Sequence, residues 1–182
     1  MERMKKLIAL IRESENRLGI KVNLDNFQDR LVIQKLVYSL ELSGIDLGYK
    51  FSLYVRGPYS PDLTRDIYDN KNIISNLQTD YRMQENEINR LINIFNLSSN
   101  FNPSILEIMA TYLYFSKELG LSEKEAITNV KKIKSFYSDA KISIGISRAK
   151  ELFMPLTEKE ISDIKKELKE WQEIAIDDQK IG

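Results

Sequence analysis

The sequence predicts a mainly α fold: a multi-helix domain around a central apolar helix, with a small two-stranded antiparallel β element. Most of the chain carries apolar residues every three or four positions, with Ser, Thr, Asn, Gly and Pro at the ends of these segments. Only residues 49–55 and 77–83 alternate apolar and polar side chains, as half-buried strands do. We therefore expect a single helical domain over residues 1–176, with its β element near 49–83, and a frayed tail at 177–182.

The first two predicted helices differ in how their apolar residues are distributed. Residues 2–18 place them on one face, and this helix should end near Gly19. The second helix can be capped by Asn23 or Asp25 and should run to about Ser43. Its apolar side chains go nearly all the way round, which is typical of a buried helix. We expect this second helix to be the hub of the core.

A strand and a turn follow the central helix. Residues 49–55 predict the strand, and Gly57 to Ser60 predict the turn. Ser60 can cap a short helix that has Pro61 at its first position, where the missing N–H costs nothing. A lone strand would leave its backbone groups unpaired, so the strands at 49–55 and 77–83 are expected to pair with each other.

The rest of the chain is predicted to be helical. Its expected helices lie near 88–95, from the cap Asn102 to Gly120, from the capping box of Ser122 and Glu125 onward, near 142–153, and from the capping box of Thr157 and Glu160 onward. Trp171, the single tryptophan, falls on the apolar stripe of the last of these helices. A tryptophan at that spacing is expected to be part of the core.

Composition narrows the classes of function. The 182 residues include no cysteine and no histidine, so thiolate metal sites are excluded, as is the usual general base near neutral pH. Lys plus Arg equals Asp plus Glu at 27 each, which does not favour non-specific nucleic-acid binding. We expect no cofactor, no bound metal and no catalytic residue.

The predicted location is cytoplasmic. The first residues are charged and are followed by no uncharged apolar run of the kind that forms a signal peptide. No stretch approaches the roughly 20 apolar residues that span a bilayer. We therefore expect no membrane partner.

Three aspartates are the one candidate for metal chemistry. Asp62, Asp66 and Asp69 occupy positions i, i+4 and i+7 of the helix after the turn, so they share one face. A carboxylate cluster of this kind can hold Mg²⁺ for phosphodiester hydrolysis, which makes a metal-dependent nuclease a remote alternative. A solvated acidic face near a helix N-terminus is the favoured interpretation.

A basic stretch at residues 124–150 is a candidate for a nucleic-acid surface. Aromatic residues near it could stack on bases. Acidic residues interleave with its lysines, so a mixed solvated face is favoured over a nucleic-acid surface.

The segment from Arg56 to Pro61 admits two interpretations. It can be simply a rigid corner between a strand and a helix, with Tyr59 packing inward. It can also present Tyr54 and Arg56 at a fixed angle to a partner, since Tyr and Arg are frequent anchors of protein interfaces.

Two blocks of the sequence carry a family resemblance. The first joins the helical segment Ile33-Gln34-Lys35-Leu36-Val37-Tyr38 to the turn Gly57-Pro58-Tyr59-Ser60-Pro61-Asp62-Leu63. The second runs from Leu121 to Lys134. Together they resemble the YwgA-like proteins and, more distantly, the SocA or Panacea antitoxin domain, with its Gln-Lys-Leu-x-Tyr helix and Gly-Pro turn.

The resemblance implies a binding role. Panacea-type domains are non-enzymatic antitoxins that neutralise varied toxins by binding them, and some act as adaptors for proteolysis. This chain departs from their pattern in the polar link between Ile74 and Gln84 and in its added C-terminal helix.

The predicted function is a non-catalytic protein-interaction module, antitoxin-like or defence-associated, that occludes a site on a partner protein. The candidate contact residues are Tyr54, Arg56, Gly57, Pro58, Tyr59 and Arg65. A winged-helix-like transcriptional regulator is the alternative, with the paired strands as its wing and residues 60–70 as its recognition helix.

Overall fold

A computed structural model describes residues 2–154 together with Lys166. Contacts divide the chain into two units, Met1–Leu152 and Phe153–Gly182. The elements described below lie in the first unit, apart from the last residue of the final helix. The predicted helix after Thr157, with Trp171, and the predicted tail at 177–182 lie outside the described residues.

The prediction of a mainly α fold is confirmed. The helices of the described residues are α1 (Glu2–Leu18), α2 (Phe27–Leu42), α3 (Pro61–Asp69), α4 (Lys71–Ser75), α5 (Glu85–Leu97), α6 (Pro103–Leu113), α7 (Glu123–Ile133) and α8 (Asp139–Phe153). A π-helical turn, Tyr114–Glu118, directly follows α6. Strands β1 (Ser52–Tyr54) and β2 (Gly57–Tyr59) form the small antiparallel sheet.

Helix α2 lies at the centre of the fold, as predicted. Leu36, Val37 and Leu40 are almost wholly buried, and the helix packs against α6, α5 and β2. Its N-cap is Asn26, whose Oδ1 accepts a hydrogen bond from the backbone N–H of Gln28 at 2.7 Å. The cap predicted at Asn23 or Asp25 is therefore wrong by one to three residues, because any of these neighbouring side chains is chemically able to cap a helix.

The β element differs from the predicted one. Strand β1 pairs with β2 in a hairpin whose loop is Val55 and Arg56, with Tyr54 opposite Gly57. The segment predicted as a plain turn therefore supplies the second strand. The two strands are close to each other along the chain, so this pairing forms easily because only a two-residue loop has to close.

Residues 77–83 form no strand, so the predicted pairing with 49–55 is wrong. Arg12 of α1 donates through Nη1 to Thr79 O at 3.1 Å and through Nη2 to Tyr81 O at 3.0 Å. An arginine side chain thus satisfies backbone carbonyls that the prediction assigned to a partner strand. The wing that the DNA-binding alternative required from this segment is not formed.

The capping predictions for three helices are confirmed. Ser60 Oγ accepts from the N–H of Leu63 at 3.3 Å, and Pro61 is the first residue of α3. Asn102 caps α6 through its side chain, and Ser122 with Glu125 forms the capping box of α7. These signals succeed because each joins residues two or three positions apart.

Helix α6 and helix α8 approach each other closely at a glycine. A Cβ on Gly145 would lie 2.5 Å from Ile108 Cγ2, which is well inside van der Waals contact. The glycine that weakens the helical pattern of α8 in the sequence is therefore required by its packing against α6. None of the helices in the described part of the chain has the length and apolar composition needed to cross a membrane.

Gly57 is required for two separate reasons. Its φ of +87° lies in the left-handed region, and a Cβ there would lie 2.4 Å from Thr111 Oγ1 of α6. Gly44, after α2, has a similar φ of +88° but has no atom within 4 Å of the position of a Cβ. Comparing substitutions at the two glycines therefore distinguishes the cost of backbone strain from the cost of steric overlap.

We predict that Gly57→Ala lowers the free energy of unfolding by more than Gly44→Ala does. The strain of positive φ, about 1–2 kcal/mol, is common to both, whereas overlap with Thr111 adds about 1–3 kcal/mol at Gly57 alone. Urea unfolding of the two variants and the wild type measures the difference. Equal losses would mean that β2 is free to move away from α6.

Candidate functional site

The hairpin is attached to the central helix by the side-chain amide of Gln34. Gln34 Oε1 accepts from the backbone N–H of Ser60 at 2.9 Å, and its Nε2 donates to Ser60 O at 3.0 Å. The same Nε2 donates to Thr64 Oγ1 at 2.9 Å. Both Gln34 and Ser60 are buried, so no water competes for these groups. The amide therefore fixes the junction between β2 and α3.

Lys35 makes the next attachment along the same helix. Its side chain is only 2% exposed, and Nζ donates to Pro58 O at 2.6 Å. An ammonium has three N–H donors. Among the described residues, Pro58 O is the one hydrogen-bond acceptor for this ammonium. Lys35 is therefore a buried cation beside the hairpin that makes fewer hydrogen bonds within the described residues than its three donors allow.

A buried carboxylate lies on the other side of the hairpin. Glu107 of α6 is 1% exposed, and its Oε1 accepts from Lys134 Nζ, which is fully buried, at 2.6 Å. Its Oε2 lies 3.4 Å from Arg56 Nη1 and 3.4 Å from Tyr137 Oη. Lys134 Nζ also donates to Val55 O in the hairpin loop at 3.3 Å. Removing one partner of such a buried ion pair typically destabilises a protein by several kcal/mol.

Burial changes the ionisation of both buried lysines. The pKa of Lys35 falls to about 7 because burial disfavours its charged form, an effect that Glu107 opposes and that Lys134 and Arg56 reinforce. The pKa of Lys134 is also lowered by burial, although its hydrogen bond to Glu107 opposes the shift. The one carboxylate of Glu107 therefore interacts with three basic side chains: it contacts Lys134 and Arg56, and its charge acts on Lys35.

A groove of about 340 Å³ runs between α2, the hairpin and α3. It is lined mainly by apolar and aromatic side chains, among them Phe27, Tyr54, Val55 and Tyr68. Val55 is 85% exposed, and the other three are each slightly more than half exposed. Contiguous exposed apolar side chains are typical of interaction sites.

The charged residues that line the groove are all cationic. They are Arg30, Lys35 and Arg56, and among the described residues no Asp or Glu joins them in the lining. The guanidinium of Arg30 stacks on Tyr68 at 5.3 Å from the ring centroid, and that of Arg56 stacks on Phe136 at 5.5 Å. The groove therefore combines an apolar wall with fixed positive charge.

Four of the six predicted contact residues line this groove: Tyr54, Arg56, Gly57 and Tyr59. Pro58 is buried and contributes its carbonyl to Lys35 instead. Arg65 does not line the groove; its exposed guanidinium pairs with Asp62 at 3.2 Å. The structure thus groups the hairpin residues and separates Arg65 from them.

The three aspartates of α3 do not form a metal site. Arg3 of α1 holds Asp66 through two hydrogen bonds of 2.6 and 3.0 Å, and Tyr49 Oη donates to Asp66 at 3.1 Å. Asp62 pairs with Arg65 and lies 3.7 Å from Arg3. Nowhere in the described part of the chain do three acidic side chains gather in a way that could hold a metal ion.

Sequence reasoning did not predict that Lys35, Glu107 and Lys134 are buried: it placed Lys134 in a solvated basic stretch, whereas its side chain is fully buried against Glu107. A usable signal is present for two of them. Lys35 is the only charged residue between Leu31 and Leu40, and Glu107 is the only charged residue of α6. A single charge inside an otherwise uncharged buried helix needs a partner, which makes it a marker of a specific contact.

Comparison with known proteins adds nothing to this geometry. No protein-family model matches the chain, and the search of curated proteins gives no match. The candidate site therefore stands on its own residues and contacts.

The two buried lysines make stability depend on pH in a defined direction. Between pH 7 and 10 the unfolded chain keeps Lys35 protonated, since its ordinary pKa is about 10.4, whereas the folded chain releases that proton above about pH 7. The unfolded state then binds more protons, so the free energy of unfolding rises with pH.

We predict this rise between pH 7 and about 9, with a limiting slope of about 1.4 kcal/mol per pH unit for one group. Lys35→Met should reduce this slope. Lys132→Met, at an exposed position of α7, should keep the wild-type slope. Urea unfolding at several pH values measures it. An unchanged slope in Lys35→Met would show that Lys35 stays protonated in the folded protein.

Proposed function

We propose that this chain is a non-catalytic interaction protein that binds another protein through the groove between α2, the hairpin and α3. The observation that carries the proposal is the grouping of four exposed apolar side chains, Phe27, Tyr54, Val55 and Tyr68, around one groove. Aromatic side chains and arginine are the residues that most often dominate binding energy at protein interfaces.

The attachment of the hairpin supports this proposal. Gln34 and Lys35 hold the backbone of Ser60 and Pro58, and Lys134 holds that of Val55. A surface held in one conformation loses little conformational entropy when it binds. The groove is therefore suited to binding without rearrangement.

The identity of the partner is proposed from the sequence resemblance. Four residues of the block that resembles the antitoxin domain, Gln34, Lys35, Gly57 and Tyr59, line the groove. We propose that the protein is antitoxin-like or defence-associated, acts in the cytoplasm, and occludes a site on a toxin or effector encoded nearby.

The other candidate functions have less support. DNA binding through α3 would bring Asp62 and Asp66 toward phosphates, and the strand at 77–83 that favoured a wing is absent. Two of the three carboxylates that a nuclease would use, Asp66 and Asp62, are paired with Arg3 and Arg65. Protein binding is the function that the groove supports best.

We predict that Val55→Asp removes capture of the partner and leaves the thermal midpoint of unfolding nearly unchanged. Val55 lies in the hairpin loop and is 85% exposed, so an aspartate there adds charge to the groove without entering the core. The measurement is affinity purification from the native host, in which the wild type should recover one stoichiometric protein.

Ile144→Asp is the matched control. Ile144 lies on α8, is 50% exposed and does not line the groove. Its variant should recover the partner as well as the wild type does. Equal recovery by Val55→Asp and the wild type would exclude the groove as the binding surface, and equal loss in both variants would point to a general effect of surface charge.

A further inference from the structure

The groove contains a donor set that the fold does not use. Lys35 is 98% buried, lines the groove, and donates one of its three N–H groups to Pro58 O. Arg56 lines the same groove and engages Glu107 through Nη1 at 3.4 Å, which leaves most of its five donors unaccounted for by that contact. Buried donors are normally satisfied, so the remaining N–H groups of Lys35 point to a ligand with acceptor oxygens, and the half-exposed guanidinium of Arg56 lies where it can contact the same ligand.

The charge of the groove indicates the sign of that ligand. Its charged lining residues are Arg30, Lys35 and Arg56, and within the described residues its lining includes no carboxylate. The one nearby acid, Glu107, is already held by Lys134 at 2.6 Å. An anionic group placed between Lys35 and Arg56 would therefore meet two cations, while Lys134 offsets the negative charge of Glu107 nearby.

The walls of the groove indicate the chemistry around the anion. Phe27, Tyr54 and Tyr68 present aromatic surface beside the cations, and Val55 projects at the rim. A ligand that fits has apolar side chains next to its charged group. A protein segment with an acidic residue between apolar ones has this composition.

We propose that the groove binds a segment of a partner protein that places a carboxylate between Lys35 and Arg56 and packs apolar side chains against Phe27, Tyr54 and Tyr68. This inference rests on the proposed function, since it names the chemistry of the partner that the groove accepts. A nucleic acid would supply anions as well, but the sequence has equal numbers of acidic and basic residues, which does not favour binding to a polyanion.

Binding of a carboxylate changes the ionisation of Lys35 in a known direction. Glu107 of α6, Lys134 after α7 and Arg56 of the hairpin already face this ammonium. An added negative charge favours the protonated form, so the pKa of Lys35 should rise above its value of about 7 when the groove is occupied. Binding of the carboxylate should correspondingly strengthen as the pH falls through 7.

The test uses the full chain with ¹³C- and ¹⁵N-labelled lysine and two small probes that differ in one group. The probes are 4-phenylbutyrate and its neutral amide, 4-phenylbutyramide, followed by NMR at about pH 6, where Lys35 is protonated. We expect the Lys35 resonances to shift with the acid, and the acid to bind at least about tenfold more tightly than the amide, as a charge-assisted hydrogen bond requires.

Two further arms complete the test. Arg56→Met should reduce the preference for the acid over the amide, because it removes one of the two cations that face the proposed carboxylate. Octathymidylate should not displace 4-phenylbutyrate. Shifts of the Lys35 resonances with octathymidylate, together with no binding of the acid, would assign the groove to nucleic acid and overturn the inference.

The inference and the proposed function fail in different ways. If both probes bind equally, or neither binds, while Val55→Asp still loses the partner, the groove binds protein through apolar contacts and the carboxylate is excluded. If the acid is preferred but Val55→Asp keeps the partner, the groove binds an anionic ligand and the protein partner binds elsewhere.

Discussion

The side-chain amide of Gln34 pairs with the backbone of Ser60 through both its oxygen and its nitrogen, at 2.9 and 3.0 Å. This contact joins the centre of α2 to the point where β2 ends and α3 begins. Lys35, the next residue, holds Pro58 O, and Gly57 lies against Thr111 of α6 with no room for a side chain. The path of the chain from β2 into α3 is thus determined by two neighbouring side chains of one buried helix. The groove and the exposed side chains around it follow from that path.

Buried charge gives this region a second property. Lys134 and Arg56 contact Glu107, and the charge of Glu107 also acts on Lys35, so basic side chains outnumber the carboxylate at the hairpin. Burying charge is unfavourable unless it is paired, and packing with apolar residues would often be more stable. The fold nevertheless keeps Lys35 beside an open groove with one acceptor among the described residues. Binding of an anionic, apolar segment of a partner would give this unfavourable arrangement a function.

The sequence predicts the helices well and the contacts between them poorly, and the reason is the distance along the chain. Capping by Ser60, Asn102 and Ser122 joins residues two or three positions apart, so the residue types suffice. The pairing of Gln34 with Ser60 spans 26 residues, and that of Lys134 with Glu107 spans 27. The strand prediction at 77–83 failed because it assumed that only another strand satisfies a strand-like backbone, whereas Arg12 does so from α1. The hairpin residues could be proposed as contacts because the Gly57-Pro58 turn is visible in the sequence, whereas the position of Lys35 depends on contacts distant along the chain.

Amide hydrogen exchange at Ser60 tests most directly whether Gln34 holds the hairpin. In the wild type the Ser60 N–H is buried and donates to Gln34 Oε1, so it should exchange slowly. Gln34→Leu keeps similar bulk but loses both hydrogen-bonding groups. In this variant the backbone amides of Ser60 and of the hairpin residues Gly57 and Tyr59 should lose protection from exchange together. The amides of Leu7 and Ile11 in α1 should remain protected, which would show that the rest of the fold is intact. Unchanged protection at Ser60 and across the hairpin would contradict the account, because the groove would then be held in place by other contacts.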